Sequence, residues 1–199
     1  MPARTDEDRK RAVAAGQGDL DAFEALVVKY QKRMFNIAFR ISGSYEDAPE
    51  ITQDAFVAAY RGIGGFKGEA KFSTWLTAIV VNHAKNRLKQ LRSRTRHEAY
   101  SLNEPLRTED GELLPDPPSG GPSVLDQLEK RDVRQSVQDC IQVLEPEFRE
   151  VLVLRDMQEF SYGEIGTMLK MPEGTVKSRL FRAREAVRAC LKKVMGEIR

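Results

Sequence analysis

Histidine and cysteine are almost absent from this chain, with two of each in 199 residues. Neither His83 nor His97 has a carboxylate, thiol or second imidazole at motif spacing. An enzyme built on a metal or on a nucleophile–base pair is therefore not expected. Cys140 and Cys190 fall in no C-x-x-C or His/Cys ligand pattern. Each sits within an apolar helical pattern and is expected to be a buried small hydrophobe with a free thiol, the alternative being a disulfide or redox switch. Long hydrophobic runs are missing as well: the stretch from Leu76 to Val81 is far too short to span a bilayer. The leading MPARTDEDRKR has no apolar segment of the kind a secretory signal needs, and residues 1–10 are expected to be an unstructured lead. Alternating β-branched runs and internal repeats are absent, which leaves an all-α chain. A soluble, cytoplasmic binding protein without metal or cofactor is the expectation.

Net charge is also small, at +2, but its distribution is uneven. Lys and Arg minus Asp and Glu comes to −2 over residues 1–60, +8 over 61–97, −7 over 98–129, −3 over 130–169 and +6 over 170–199. Two basic segments flanking an acidic one suit a protein that touches a polyanion at two places. The acidic stretch is also where helical periodicity stops. Residues 97–128 hold five prolines and three glycines and no apolar face, so they are expected to form a flexible acidic linker. Two small helical domains are expected on either side, over 11–96 and 129–195.

The most telling segment is SYGEIGTMLKMPEGTVKSRLFRAR, residues 161–184. Ser161 followed three residues later by Glu164 is a capping-box signature. Ile165 and Leu169 share a face, Gly166 is small where the chain must approach closely, and Pro172 and Gly174 mark a turn. Val176 and Leu180 supply the buried stripe of a second helix whose other faces carry Lys177, Ser178, Arg179, Arg182 and Arg184. This is a helix-turn-helix pattern, with cations for phosphates and short polar groups for base edges.

In the N-terminal half, Leu20 to Ile41 keep a 3.6-residue period and predict one long helix ended by Gly43. Ser44 and Asp47 start a second helix, which the Gly62–Gly65 region stops. A third helix is predicted from Phe72 to Leu91, with Leu76, Ile79, Val80, His83 and Leu88 inward and Asn82, Lys85, Asn86, Lys89 and Arg92 mainly outward. Phe66, Phe72 and Trp75 cluster at its start. Aromatics and amides beside cations hold unstacked bases while the backbone is gripped, although Phe72 and Trp75 each also suit a core. After the linker, helix resumes near Asp132 and breaks at Pro146.

These blocks resemble the sigma-70 family of bacterial initiation factors. Residues 22–89, including ITQDAFVAAYRG, GFKGEAKFSTWL and VVNHAKNRLK, are similar to the promoter-melting domain, region 2, of the extracytoplasmic-function group near envelope-stress sigma-E. LEPEFREVLVLRDMQEFSYGEIGTMLKMPEGTVKSRLFRAREAVRACL resembles the group's region 4. The resemblance implies contacts to the polymerase β′ clamp helices by Gln53, Asp54, Phe56, Val57 and Tyr60. It implies capture of a flipped −10 base by Phe66 and Lys67, with Phe72, Trp75, Asn82, Lys85, Asn86 and Lys89 grouped around the melted element. It implies −35 contacts by Arg155, Thr175, Lys177, Ser178, Arg179, Phe181 and Arg182, with Arg184 on phosphate. Lys177 stands where close relatives often carry Arg, and a lysine cannot make the bidentate fork to guanine. The implied partners are core RNA polymerase (β′ clamp helices and β subunit), promoter DNA and a cognate anti-sigma factor; the implied setting is a stress response.

A stand-alone helix-turn-helix regulator is the alternative, but it leaves the cluster at 66–92 without a purpose. The bipartite reading also passes a test of reach. A −10/−35 spacer of roughly 16–17 base pairs spans about 55–60 Å. A flexible 32-residue linker has an r.m.s. span near 31 Å and can extend to roughly 105–115 Å.

Overall fold

A computed structural model describes residues 3–98, 133 and 135–197. Among them all regular structure is helical. The linker expected over 97–128 lies outside the described residues, apart from His97 and Glu98, which belong to a helix.

Helix α1 (Ala3–Gly16) overturns the expectation of an unstructured lead. Its charged sequence hides a buried face. Ala12 and Ala15 enter the core, and Asp8, only 7% exposed, accepts 2.6 Å from the Tyr30 hydroxyl and pairs with Lys29. Gly18, at φ +100°, turns the chain, and Asp19 caps α2 (Leu20–Ser42) by accepting the Ala22 N–H at 3.0 Å. The predicted stripe of α2 is buried at Leu26, Tyr30, Met34, Ile37, Ala38 and Ile41. Gly43 closes it in the left-handed region, φ +79°, its N–H bonded to Phe39 O.

Ser44 Oγ accepts the Asp47 N–H at 3.1 Å and starts α3 (Asp47–Gly62), with Ala48, Ile51, Ala55 and Ala59 buried. Alanines on this face let α3 lie close against α2 and α4 (Phe72–Glu98). In α4 Leu76 and Val80 are buried as predicted. Ile79, His83 and Leu88 are half-buried, and Thr77, Val81 and Ala84 are buried as well. A second apolar strip is needed because α4 also meets the C-terminal half.

That half comprises α5 (residues 135–142), α6 (Pro146–Leu152, continuing as a π-helical turn through Met157), α7 (Tyr162–Leu169) and α8 (Glu173–Glu197). The capping box forms as predicted: Ser161 Oγ accepts the Glu164 N–H and the Glu164 carboxylate accepts the Ser161 N–H. Lys170, φ +53°, makes the turn, and Gly166 packs so tightly under it that a Cβ would lie 2.8 Å from Met171 O. Gly174 is not part of the turn but lies in the first turn of α8. The cysteines also depart from expectation. They are joined in a Cys140–Cys190 disulfide, Cα atoms 5.7 Å apart, because α5 folds back onto the far end of α8.

The two helical units abut, and their apolar interiors join into one cluster. Arg149, 8% exposed, crosses the seam. Its Nη1 donates 3.0 Å to Ile41 O at the end of α2, and its Nη2 donates to Leu144 O at 3.0 Å and to Gln142 O. Arg33 Nε donates 2.9 Å to Gln158 Oε1, the Thr74 hydroxyl donates 3.2 Å to Glu164, and Lys85 Nζ lies 3.0 Å from Glu150 Oε2.

Arg149→Ala strands three carbonyls and should destabilise the fold by about 3 kcal/mol, measured by urea unfolding. Two carboxylates should respond to pH in opposite directions. Burial raises Glu164, but the Ser161 N–H and hydroxyl and the Thr74 hydroxyl outweigh it and leave its pKa lowered. Its stabilisation is present above the ordinary carboxylate value and is lost as pH falls through its folded pKa. Glu150 is raised by burial, with Lys85 and Arg179 opposing incompletely. It favours the fold at low pH and loses that contribution as pH rises through its folded pKa. Thermal melts from about pH 4 to pH 8 should show Glu164→Gln removing an acid-side loss and Glu150→Gln removing an opposing gain.

Candidate nucleic-acid interface

Helix α8 presents its basic side to solvent. Lys177, Ser178 and Arg182 are exposed, Thr175 is half-buried, and the Phe181 ring is 68% exposed. A bare phenylalanine between two cations has no packing role in this fold, and it offers a flat apolar contact for a base or a thymine methyl. The Ser178 hydroxyl donates 3.0 Å to Thr175 O, which leaves its lone pairs outward. Arg184 is held by Asp156 through a fork, Nε–Oδ2 2.9 Å and Nη2–Oδ1 2.5 Å, and that hydrogen bond raises its pKa. This suits a fixed phosphate contact better than a searching base contact.

Tyr162 organises the edge of this surface, and sequence reasoning passed over it. The Arg155 guanidinium lies 4.9 Å and the Lys177 ammonium 5.4 Å from its ring centroid, while Arg155 Nη1 donates 2.9 Å to Phe160 O. The ring thereby gathers cations from the π-helical turn and from α8. The only signal in the sequence is its place directly after the Ser161 cap. Arg179 departs from its predicted position. It turns inward, with Nη2 2.8 Å from Glu147 and Nη1 3.8 Å from Glu150, because its place on α8 borders the buried stripe of Val176, Leu180 and Ala183.

On α4, Asn82, Lys85, Asn86 and Lys89 are all exposed and recur at i, i+3, i+4 and i+7, so they form one stripe. Lys85 is engaged by Glu150, whose side chain is only 3% exposed. Beside the stripe the aromatic cluster is real but layered. Phe66 lies 5.3 Å from Trp75 and 5.8 Å from Phe72, and Phe72 lies 5.7 Å from both Trp75 and Tyr30. Phe72, 3% exposed, is the floor of the cluster and cannot touch a base, so its expected contact role is corrected to support. Phe66 and Trp75 are partly exposed and Lys67 is fully so.

The exposed face of α3 is a third surface. Gln53, Asp54, Val57 and Tyr60 are exposed along it, and Val57 and Tyr60 are large apolar residues, 42% and 44% exposed. Tyr60 rests edge-on against Phe23, ring centroids 5.0 Å apart, and Phe56 is half-buried beneath. Among the described residues no three His, Cys, Asp or Glu side chains converge as a metal site, and no helix is long and apolar enough to cross a membrane.

Comparison with known proteins matches these surfaces to one family. Residues 26–95 match sigma-70 region 2 and residues 134–187 match sigma-70, region 4. The chain is 33% identical over 192 residues to the RNA polymerase sigma-H factor of Pseudomonas aeruginosa, covering 96% of this chain and 97% of the relative. It is 37% identical over 171 residues to the ECF RNA polymerase sigma-E factor of Escherichia coli K12, covering 86% and 87%. In fold it is similar to CnrH, solved in complex with the cytosolic domain of CnrY (TM-score 0.66, 23% identity, 94% and 98% covered). It is equally similar to the sigma factor RpoE of Bartonella quintana, solved with the anti-sigma factor NepR (TM-score 0.66, 22% identity, 87% and 98% covered). Basic faces on α4 and α8, each inside its own matched region, thus have one shared explanation: the chain belongs to the sigma-70 family, within the extracytoplasmic-function group of RNA polymerase sigma factors.

Proposed function

We propose a residue-level division of labour for this sigma factor. The α3 face of Gln53, Asp54, Val57 and Tyr60, with Phe56 beneath, docks on the β′ clamp helices of core RNA polymerase. The Phe66–Lys67 loop, with Trp75 at its side, takes a −10 base once it leaves the duplex, and the Asn82–Lys89 stripe follows the strand upstream. Lys177, Ser178, Phe181 and Arg182 read the −35 element in the major groove, while Arg155 and Arg184 fix the register. Region 2 then corresponds to residues 11–96, region 4 to 129–195, and 97–128 to the tether. The factor acts in the cytoplasm without catalysing a reaction. The complexes named for CnrH and for the Bartonella RpoE support an anti-sigma partner and a stress-response role here as well.

One observation carries the reading: two exposed cationic faces, one ringed by aromatics and amides, lie on opposite sides of a linker. In the closed arrangement they cannot both be used. Lys85 and Arg179 share the Glu150 carboxylate, at 3.0 and 3.8 Å, and so lie within about 10 Å of each other. Promoter elements stand about 55–60 Å apart. The seam must open when both are bound, and phosphates then replace Glu150 as the partner of Lys85.

With core polymerase, the protein should direct discrete promoter-specific transcripts from a genomic template library, and their absence would refute the reading. Asp54→Arg should weaken core binding by about tenfold or more with an unchanged melting curve; unaltered affinity would place the docking face elsewhere. Glu150→Gln removes the competing anion. It should raise the affinity of the free factor for promoter duplex and steepen its salt dependence by about one phosphate contact in a fluorescence-anisotropy titration.

A further inference from the structure

The Cys140–Cys190 disulfide takes no part in the surfaces described above, and its surroundings are unusual. Cys140, on α5, is 1% exposed; Cys190, on α8, is partly exposed. They lie 50 residues apart in sequence, so the bond closes almost the whole of α5–α8 into a loop. A short helix does not persist alone, and α5 is only partly seated. Ile141 is buried and Val137 half-buried, and just past the helix end Leu144 is buried while Val143 is 80% exposed. Between α5 and α8 an apolar groove of about 800 Å³ remains, bordered by Val137, Ile141, Val187 and Leu191. Neither cysteine lines this groove, so the bond ties α5 to α8 beside it.

The far end of α5 meets the seam. Gln142 O accepts from Arg149 Nη2, and Gln142 Nε2 donates 3.4 Å to Arg40 O at the end of α2. Whatever holds α5 on α8 therefore also steadies the groups through which Arg149 joins the two halves.

We propose that Cys140 and Cys190 form a redox modification site, switched by thiol–disulfide exchange with a dithiol, whose oxidised state locks α5 onto α8. Exposure sets the order of events. A thiolate of the dithiol attacks Sγ of Cys190, the more exposed of the two residues; the Cys140–Cys190 bond breaks, and Cys140 leaves as a thiolate and takes a proton from water. The second thiol of the reductant then attacks the mixed disulfide and expels the Cys190 thiolate, which is protonated in turn. Two electrons and two protons pass from the dithiol to the protein, and the dithiol becomes a disulfide. Re-oxidation is the same sequence reversed, with a disulfide as oxidant. Loss of the bond frees a helix held by half a face and loosens the Gln142 contacts at the seam.

The test uses the full-length protein equilibrated with oxidised glutathione or with dithiothreitol, free thiols being trapped with iodoacetamide. Mass spectrometry should find one Cys140–Cys190-linked peptide in the first case and two alkylated cysteines in the second. Amide hydrogen exchange over residues 135–142 should be about tenfold faster or more in the reduced protein, with α3 unchanged. The melting temperature should fall by about 5–15 °C on reduction. Cys190→Ser should match the reduced protein in both buffers. Should that variant fail to fold, the reduced wild-type chain carries the same comparison. Absence of the linked peptide under oxidised glutathione overturns the proposal, as does identical α5 exchange in the two buffers. None of these readouts involves polymerase or DNA, so the outcome is separate from that of the promoter-binding roles.

Discussion

The Arg149 guanidinium sits against the carbonyl end of α2, and the arrangement of the two helical units depends on it. A helix end leaves carbonyls without intrahelical donors and carries partial negative charge. Gly43 turns the chain away in the left-handed region, and Ile41 O is met by a buried cation from α6. Burial lowers the pKa of Arg149, and the nearby Arg92 charge acts in the same direction. The site is tolerable because three carbonyls, from Ile41, Gln142 and Leu144, accept its hydrogen bonds. A buried charge stripped of such partners would be strongly destabilising. The contact is therefore specific in a way that the apolar packing around it is not.

The neighbouring residue links this packing to function. Glu150 follows Arg149 on α6 and faces Lys85 of α4 and Arg179 of α8. Both are cations in segments whose basic character made them candidates for DNA. A carboxylate and a phosphate compete for the same ammonium group, so under the proposed roles closure of the seam and engagement of the promoter would be coupled through one side chain. Burial disfavours the charged form of Glu150, and Lys85 and Arg179 oppose this only in part. The other cations of α8 differ. Arg184 is paired with Asp156 and Lys177 lies over the Tyr162 ring, both exposed and away from Glu150 in their contacts.

Much of this was legible in the chain, because the signals were local. The 3.6-residue stripe of α2, the stop at Gly43, the start near Ser44, Pro146 at the head of α6 and the Ser161–Glu164 capping box depend on residues within one or two turns of each other. The outward stripe Asn82, Lys85, Asn86 and Lys89 could be read for the same reason, whereas Phe181 came only from the family resemblance. The aromatic cluster was half legible. Composition and spacing brought Phe66, Phe72 and Trp75 together, but nothing local could tell the floor of the cluster from its rim.

What the sequence by itself determined was most of the helices after the first, several of their caps, and which segments carry the cations. The tertiary structure alone decided which of those cations are free. Arg179 turns inward because α6 places Glu147 and Glu150 beside it, and Arg149 reaches a carbonyl 108 residues away. Asp8 ties what looked like an unstructured lead to α2 by accepting from the Tyr30 hydroxyl and the Lys29 ammonium. Cys140 and Cys190 meet only because α5 folds back along α8. Periodicity describes one helix and its own faces. Pairing, burial and charge neutralisation across helices depend on distances in space, and those exist only once the chain has packed.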